Sequence, residues 1–192
     1  MKELQGKRIA MVMTDGVEQV EYTKPREFLE KEGAKPVLIS PKSAGSEIQA
    51  FNHLTPGDKF KVEMNVKDAK PEEFDLLVLP GGVANPDLLR LSPETIDFIR
   101  RYGESDKPIA AICHGPWTLI NADIAKGKRM TSWPTLEHDL KNAGAEWVDE
   151  PMVKDGRLVT SRKPDDIPQF DRGIVELMKE SGRESSRAQV DR

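Results

Sequence analysis

Cysteine is almost absent from this chain. The 192 residues include one, Cys113, and a single cysteine excludes an intrachain disulfide framework. The first eight residues are rich in charge and lack the apolar core of a signal peptide. Because the cytoplasm keeps free thiols reduced, we expect a cytoplasmic protein.

Several features that would assign a partner are also missing. No apolar run is long enough to span a bilayer. The net charge is only −4 and no region is strongly basic, which argues against a nucleic-acid or membrane partner. Pro80-Gly-Gly82 lacks the spacing of a dinucleotide fingerprint or a phosphate loop. His53 and His138 are isolated, so the sequence predicts neither a cofactor nor a metal site.

Short apolar runs alternate with amphipathic segments, and this alternation predicts the fold. Apolar runs at 7–13, 36–40, 75–79 and 108–112 read as buried strands, and helical patterns follow most of them. Residues 41–70 predict loops with short strands, and Asp155-Gly156 predicts a hairpin turn. We expect one α/β domain over residues 1–180, a three-layer sandwich with a mainly parallel sheet and helices on both faces. The polar residues 181–192 predict a flexible tail.

The strand that ends at Cys113 carries the strongest functional signal. Pro108–Ile112 is followed by Cys113, His114 and a Gly-Pro pair, which indicates a sharp turn from a strand into a helix. A nucleophile elbow exposes its side chain on such a turn, and the helix start favours a thiolate. We therefore predict that Cys113 is a nucleophile and that His114 stabilises its thiolate and acts as its acid or base. The alternative is an inert buried cysteine beside a polar helix-start residue.

Two further segments follow predicted strands and have two interpretations each, and Asp87 has one when it is considered alone. Glu18 either hydrogen-bonds the cysteine sulfur, for which it must be protonated, or is a solvated helix-start carboxylate. Gly81 and Gly82 either direct backbone N–H groups, with that of His114, at an oxyanion or form a plain turn. Asp87 on its own is typical of a turn or helix start.

Six short motifs occur in order along almost the whole chain: Thr14-Asp-Gly-Val-Glu18, Leu79-Pro-Gly-Gly82, Ala111-Ile-Cys-His-Gly-Pro116, Lys126-Gly-Lys-Arg129, Asn142-Ala-Gly-Ala145 and Leu158-Val-Thr-Ser-Arg162. Together they resemble the PfpI family of intracellular cysteine peptidases and stress proteins, within the DJ-1/PfpI superfamily. The resemblance implies a flavodoxin-like fold that is similar to class I glutamine amidotransferases.

The resemblance also implies roles for individual residues. Cys113 would be the nucleophile, His114 its general base and Glu18 the glutamate that hydrogen-bonds the sulfur. The backbone N–H groups of Gly82 and His114 are our candidates for the oxyanion hole, on the backbone argument given above. Asp87 matches the acidic residue that a neighbouring subunit supplies, although its local spacing is one residue longer than in some relatives. The family further implies a homodimer, in some members assembled into a hexamer.

The expected function is a stress-response cysteine hydrolase that acts on proteins, peptides or aldehyde-derived protein adducts. This expectation includes peptidase, deglycase and glyoxalase activities. The alternative is a redox-responsive protective protein whose cysteine is oxidised to sulfenic or sulfinic acid with little turnover. A holdase chaperone is a third option, which no feature of the sequence specifically supports.

Overall fold

The structure is a computed structural model that describes the backbone of residues 2–190 and the side chains of residues 2–182. Its strands are β1 (Arg8–Val12), β2 (Val17–Glu18), β3 (Lys35–Ser40), β4 (Glu47–Asn52), β5 (Thr55–Lys61), β6 (Met64–Asn65), β7 (Leu76–Leu79), β8 (Ile109–Ile112), β9 (Arg129–Met130), β10 (Glu146–Trp147), β11 (Met152–Asp155) and β12 (Leu158–Ser161). Its α-helices are α1 (Gln19–Lys31), α2 (Ala84–Leu89), α3 (Pro93–Glu104), α4 (Trp117–Asn121), α5 (Glu137–Asn142) and α6 (Ile167–Val190). Four 3-10 turns lie at Val66–Asp68, Pro71–Glu73, Pro134–Leu136 and Pro164–Asp166.

Seven strands form the central sheet in the order β11-β12-β8-β7-β1-β3-β6. All neighbours pair in parallel except β11, which pairs antiparallel with β12 through the predicted hairpin. Strands β3 and β6 lie on one side of β1, and the chain then crosses to the other side, where it forms β7 and β8. The direction of the strand order therefore reverses beside β1. Ligand sites of open α/β sheets lie at the carboxyl ends of strands at such a reversal. The ends of β1, β7 and β8 therefore define the place to look for a site.

Both faces of the sheet are covered by helices, as the sequence predicted. On β1, Ile9 and Met11 pack into a core with α1 and α6, while Ala10 and Val12 pack into a second core with α2–α5. This alternation follows from the two-residue repeat of a strand. The three-layer, mainly parallel α/β architecture is thus confirmed.

A second, three-stranded sheet stands over the carboxyl edge of the first. It has the order β2-β4-β5, and β4 and β5 form an antiparallel hairpin. The backbone of Gly16 and the carboxylate of Asp15 both bond Gln49, which ties the hairpin to the end of β1. The short strands predicted within residues 41–70 are therefore confirmed, and their hairpin tip, His53 and Leu54, reaches the region above β8.

Two elements differ from the sequence prediction. The spacing of Phe28 and Leu29 among charged residues predicts a helix from Tyr22 to Glu32. Helix α1 instead begins at Gln19, because the pairing of β2 with β4 ends the extended segment at Glu18. Helix α6 continues beyond residue 180, where a tail was predicted, to Val190. Residues 191 and 192 and the side chains beyond 182 lie outside the described residues, so the flexibility of 181–192 stays a prediction.

Candidate active site

Cys113 occupies the predicted turn at the end of β8. Its backbone lies in the left-handed region, with φ 62°, which is unfavourable for a residue that has a Cβ. Hydrogen bonds on both sides hold this conformation, because Cys113 N donates to Ser161 O at 3.0 Å and Cys113 O accepts from Trp133 N at 2.8 Å. Gly115 completes the turn, since a Cβ there would lie 2.2 Å from Leu79 O. The sequence prediction of a sharp elbow is therefore confirmed.

His114 lies beside the sulfur. Its Nδ1 is 3.2 Å from Cys113 Sγ, and its ring stacks on Trp133 with the centroids 5.7 Å apart. Burial lowers the pKa of His114 to about 4, and no carboxylate of the described chain acts on it to raise that pKa. The imidazole is therefore neutral near pH 7 and free to accept a proton from the thiol. The turn makes this pairing possible, because adjacent residues on a regular helix or strand point in different directions.

The carboxyl group beside the sulfur belongs to Glu21, not to Glu18. Glu21 lies in the first turn of α1 and is fully buried close enough to Cys113 for the two groups to affect each other's pKa. Its Oε2 accepts from Gly81 N at 2.8 Å, and its Oε1 has no hydrogen-bond partner among the described residues. Burial is the main reason that its pKa is raised from 4.5 to about 8. The protonated carboxyl can therefore donate to sulfur near neutral pH, which is the property that the sequence reasoning required of Glu18.

Glu18 makes a different contact. It is the last residue of β2 and pairs with Phe51, which turns its carboxylate towards the hairpin tip. Its Oε2 accepts from His53 N at 3.0 Å. The prediction that Glu18 bonds the sulfur was wrong. Strand β2 pairs with β4, about thirty residues further along the chain, and this pairing keeps Glu18 in a strand. Helix α1 then begins at the next residue and places Glu21 beside the sulfur. Glu18 nevertheless lines the same pocket as Cys113.

Two backbone N–H groups also point at the sulfur. They belong to Gly82 and His114, and both act to lower the pKa of the thiol. Gly82 has φ 80° and packs against the loop after β1, where a Cβ would lie 2.2 Å from Gly16 O. Donors in this arrangement can stabilise negative charge on sulfur or on an oxygen bonded to the attacked carbon. Their position is the one predicted for an oxyanion hole.

The predicted low pKa of Cys113 was wrong. Removal of the thiol from water is the main reason that its pKa is raised, and the two backbone N–H groups only partly oppose this effect; Glu21 raises it further only when its carboxyl group is ionised. The helix that follows is short, with α4 spanning five residues, so its dipole supplies little of the expected stabilisation. Cys113 is a neutral thiol at rest and needs a base at the moment of reaction.

Sequence reasoning did not identify Asn85 as a support for the site. Its side chain is fully buried, accepts from Thr14 N at 2.8 Å, and donates to the carbonyls of Pro80 and Gly81 at 3.1 and 3.0 Å. One amide thus joins the loops that leave β1 and β7. In the sequence, Asn85 precedes Pro86 and is typical of a turn. Only the three-dimensional contacts show that its amide connects the two loops.

A pocket of about 370 Å³ opens above the sulfur. Its lining includes the site residues and a rim, namely Glu18, Glu21, His53, Leu54, Gly82, Val83, Cys113, His114, Trp133, Thr135 and Pro164. Cys113 itself is 5% exposed, so the sulfur lies at the bottom of this opening. The pocket has the size of small-molecule sites and ends at a nucleophilic atom.

Asp87 lies outside this pocket within its own chain. It is on α2 with a side chain 62% exposed, and its carboxylate is 3.8 Å from Arg90. Its predicted role involves a neighbouring subunit, and that role stays a prediction.

Among the described residues, no cluster of three or more histidine, cysteine, aspartate or glutamate side chains could hold a metal ion. Across the same residues, we find no helix with the length and apolarity needed to cross a membrane.

Comparisons with known proteins agree with this geometry. The family model described as "DJ-1/PfpI family" matches residues 7–177. A Bacillus subtilis (strain 168) protein named "Putative cysteine protease YraA" is 39% identical over 173 residues, which cover 90% of this chain and 99% of that protein. An uncharacterized Staphylococcus aureus (strain Mu50 / ATCC 700699) protein is also 39% identical, over 175 residues that cover 90% and 99% of the two chains.

Solved structures share the fold. Drosophila melanogaster DJ-1beta superposes with a TM-score of 0.80 at 26% identity, covering 94% of this chain and 97% of its own. A two-domain Anabaena variabilis protein with DJ-1/ThiJ/PfpI-like and ferritin-like domains superposes with a TM-score of 0.82 at 32% identity. The match covers 88% of this chain but only 47% of that longer one. The family match over most of the sequence, together with the 39% identity to relatives of nearly equal length, shows that this chain belongs to the DJ-1/PfpI family.

Proposed function

We propose that this protein is a stress-response cysteine hydrolase that acts on peptides, proteins or aldehyde-derived protein adducts. One observation carries the proposal. The Cys113 sulfur lies at the bottom of an open pocket, 3.2 Å from His114 Nδ1 and within hydrogen-bond reach of two backbone N–H groups. A nucleophile, a base and an oxyanion-type donor pair are the parts that acyl transfer requires. The same reaction class is supported by the 39% identity to the protein named "Putative cysteine protease YraA".

As Cys113 sulfur bonds to the carbonyl carbon, its proton passes to His114 Nδ1, and the N–H groups of Gly82 and His114 stabilise the negative oxygen. The bond to the leaving group then breaks, and the imidazolium returns the proton to the leaving amine. Water attacks the resulting thioester, gives a carboxylic acid and restores the thiol.

The direct test is turnover by the purified protein and by Cys113→Ala. Peptides, methylglyoxal and glycated amino acids serve as substrates in parallel assays. We expect turnover of at least one class by the natural protein and none above background by the variant. Hydrolysis or deglycation that survives in Cys113→Ala would remove the enzyme proposal. The class that is turned over distinguishes peptidase, glyoxalase and deglycase.

We further propose that the active assembly is a homodimer or a larger homo-oligomer that completes the site with Asp87 from the neighbouring subunit. His114 has no carboxylate partner within the described chain, and the exposed Asp87 has no buried partner. Large apolar side chains near Asp87 are exposed as well, with Val83 at 61%, Leu88 at 41% and Leu91 at 78%. Apolar groups exposed this far are typical of a surface that is covered by a partner.

Complementation between subunits tests this assembly. Asp87→Asn and Cys113→Ala are each expected to reduce turnover, the first partly and the second fully. Mixed oligomers of the two variants would contain some sites that combine an intact cysteine with an intact neighbouring aspartate. We expect the mixture to exceed the summed activity of the separate variants. A sum without gain, or a monomer by light scattering, would contradict the shared site.

A second candidate function is peroxide sensing through Cys113. The observation that favours it is the protonated Glu21 carboxyl beside the sulfur, because such a group can donate to an oxygen added to sulfur. Peroxide would take the two electrons of the thiolate to give sulfenic acid, and a second equivalent would give sulfinic acid. Mass spectrometry after mild peroxide treatment tests this function. Selective oxygen addition at Cys113, with no turnover in the assays above, would favour a sensor, and resistance to oxidation would exclude it.

A further inference from the structure

The pocket above Cys113 has carboxyl groups but no fixed cation. Glu18 and Glu21 line it, whereas the described lining contains neither lysine nor arginine. Glu21 is fully buried, its Oε2 is held by Gly81 N, and burial keeps its carboxyl group neutral near pH 7, so it carries no charge to pair with a cation. Glu18 is therefore the carboxylate that remains to interact with a bound molecule.

The side chain of Glu18 is held in place by a backbone hydrogen bond. It is 9% exposed and its Oε2 accepts from His53 N at 3.0 Å, and within the described part of the chain it forms no ion pair. A mostly buried carboxylate that lacks a cationic partner loses hydration that one backbone donor does not replace. A ligand cation could supply the missing partner.

The hairpin tip fixes this carboxylate at the mouth of the pocket. His53 has φ 56°, so the tip turns sharply and presents its N–H to Glu18. The next residue, Leu54, is 93% exposed and also lines the pocket, as does the indole of Trp133. Apolar walls that end at a carboxylate match a side chain with a hydrocarbon stem and a cationic end.

We propose that Glu18 selects substrates that carry a guanidinium or ammonium group close to the carbonyl carbon attacked by Cys113. The substrate class is thus peptides with arginine or lysine at the cleaved bond. The identity of the attacked bond rests on the proposed function, whereas the preference for a cation is a property of the pocket alone.

Binding of small amides tests the preference without turnover. Calorimetry compares Nα-acetyl-arginine amide with its neutral analogue Nα-acetyl-citrulline amide, and Nα-acetyl-lysine amide with Nα-acetyl-norleucine amide. Charge-assisted hydrogen bonds predict that at least one cationic ligand binds about tenfold or more tightly than its neutral counterpart. Equal affinity within both pairs, or no detectable binding of either cation, would overturn the proposal.

Two variants locate the effect. Glu18→Gln keeps an acceptor for His53 N–H but removes the charge, so the affinity ratio should fall close to one. Glu47→Gln removes the same charge from an exposed position on β4 of the same hairpin and should leave the ratio unchanged. A ratio that survives in Glu18→Gln would exclude this residue as the selector. Thermal melting of both variants checks that the hairpin is intact.

Turnover separates this inference from the proposed function. Peptides that differ only in arginine or citrulline at the cleaved bond are compared by kcat/KM. Hydrolysis without a preference for arginine would support the proposed hydrolase function and contradict the proposed selection by Glu18. Cation-selective binding without any turnover would support the selection by Glu18 and contradict the hydrolase function.

Discussion

The protonation of Glu21 makes a prediction that can be measured without a substrate. The perturbation is Glu21→Gln, which keeps the acceptor for Gly81 N–H and the shape of the side chain but removes the titrating proton. Burial raises the pKa of Glu21 from 4.5 to about 8. Between these values the folded protein holds a proton that the unfolded chain has released.

The sign and size of the effect follow from proton linkage. Unfolding releases this proton, so the stability that protonation provides is complete below pH 4.5 and is lost as the pH rises through about 8. Across that window Glu21 lowers the free energy of unfolding by about 1.4 kcal/mol for each pH unit, or about 5 kcal/mol in all. Glu21→Gln has no such dependence.

Urea denaturation of both proteins from pH 5 to pH 8 measures this difference. We expect the stability of Glu21→Gln relative to the natural protein to rise steadily with pH. Glu73→Gln serves as the control, because Glu73 is exposed and its substitution should give a curve parallel to that of the natural protein. Parallel curves for Glu21→Gln would show that this carboxyl is ionised in the folded protein and would refute the account of its role beside sulfur.

Two further predictions concern other buried groups. Asp171 is buried, its Oδ1 has no hydrogen-bond partner among the described residues, and burial raises its pKa to about 7. The stability that its protonated form provides is lost as the pH rises from 3.8 through about 7, at about 1.4 kcal/mol for each pH unit. Asp171→Asn should therefore gain about 4 kcal/mol relative to the natural protein between pH 4 and pH 8 in urea denaturation, and an equal effect at both pH values would contradict this. Gly81→Ala would place a Cβ 2.6 Å from Glu21 Oε2 and 2.7 Å from Cys113 Cβ. Displacement of the nucleophile should lower kcat/KM about 100-fold, and an unchanged value would show that the two side chains adjust freely.

The sequence allowed the elbow to be predicted because its determinants are local. An apolar run, one cysteine and a following Gly-Pro pair define a strand end and a turn without reference to distant residues. The parallel sheet then places that turn beside Gly81 and Gly82, since carboxyl ends of parallel strands share an edge. Fold class and the main site segments were therefore accessible from sequence.

The sequence alone could not show whether Glu18 or Glu21 lies beside the sulfur, because the answer depends on the residue at which α1 begins. That boundary is fixed by the pairing of β2 with β4, a contact between segments far apart in the sequence. The pKa values of Cys113 and Glu21 were equally hidden, since they are dominated by burial, which no local pattern encodes. The hairpin tip over the pocket, with His53 held by Glu18, is a third non-local feature.

A burst experiment tests most directly whether Cys113 is a nucleophile. p-Nitrophenyl acetate is mixed with the protein, release of nitrophenolate is followed, and the acetylated residue is located by peptide mass mapping. The account predicts a burst of one equivalent, with one acetyl group on Cys113, and no burst from Cys113→Ala. A burst that persists in Cys113→Ala, or an acetyl group located on another residue, would contradict it.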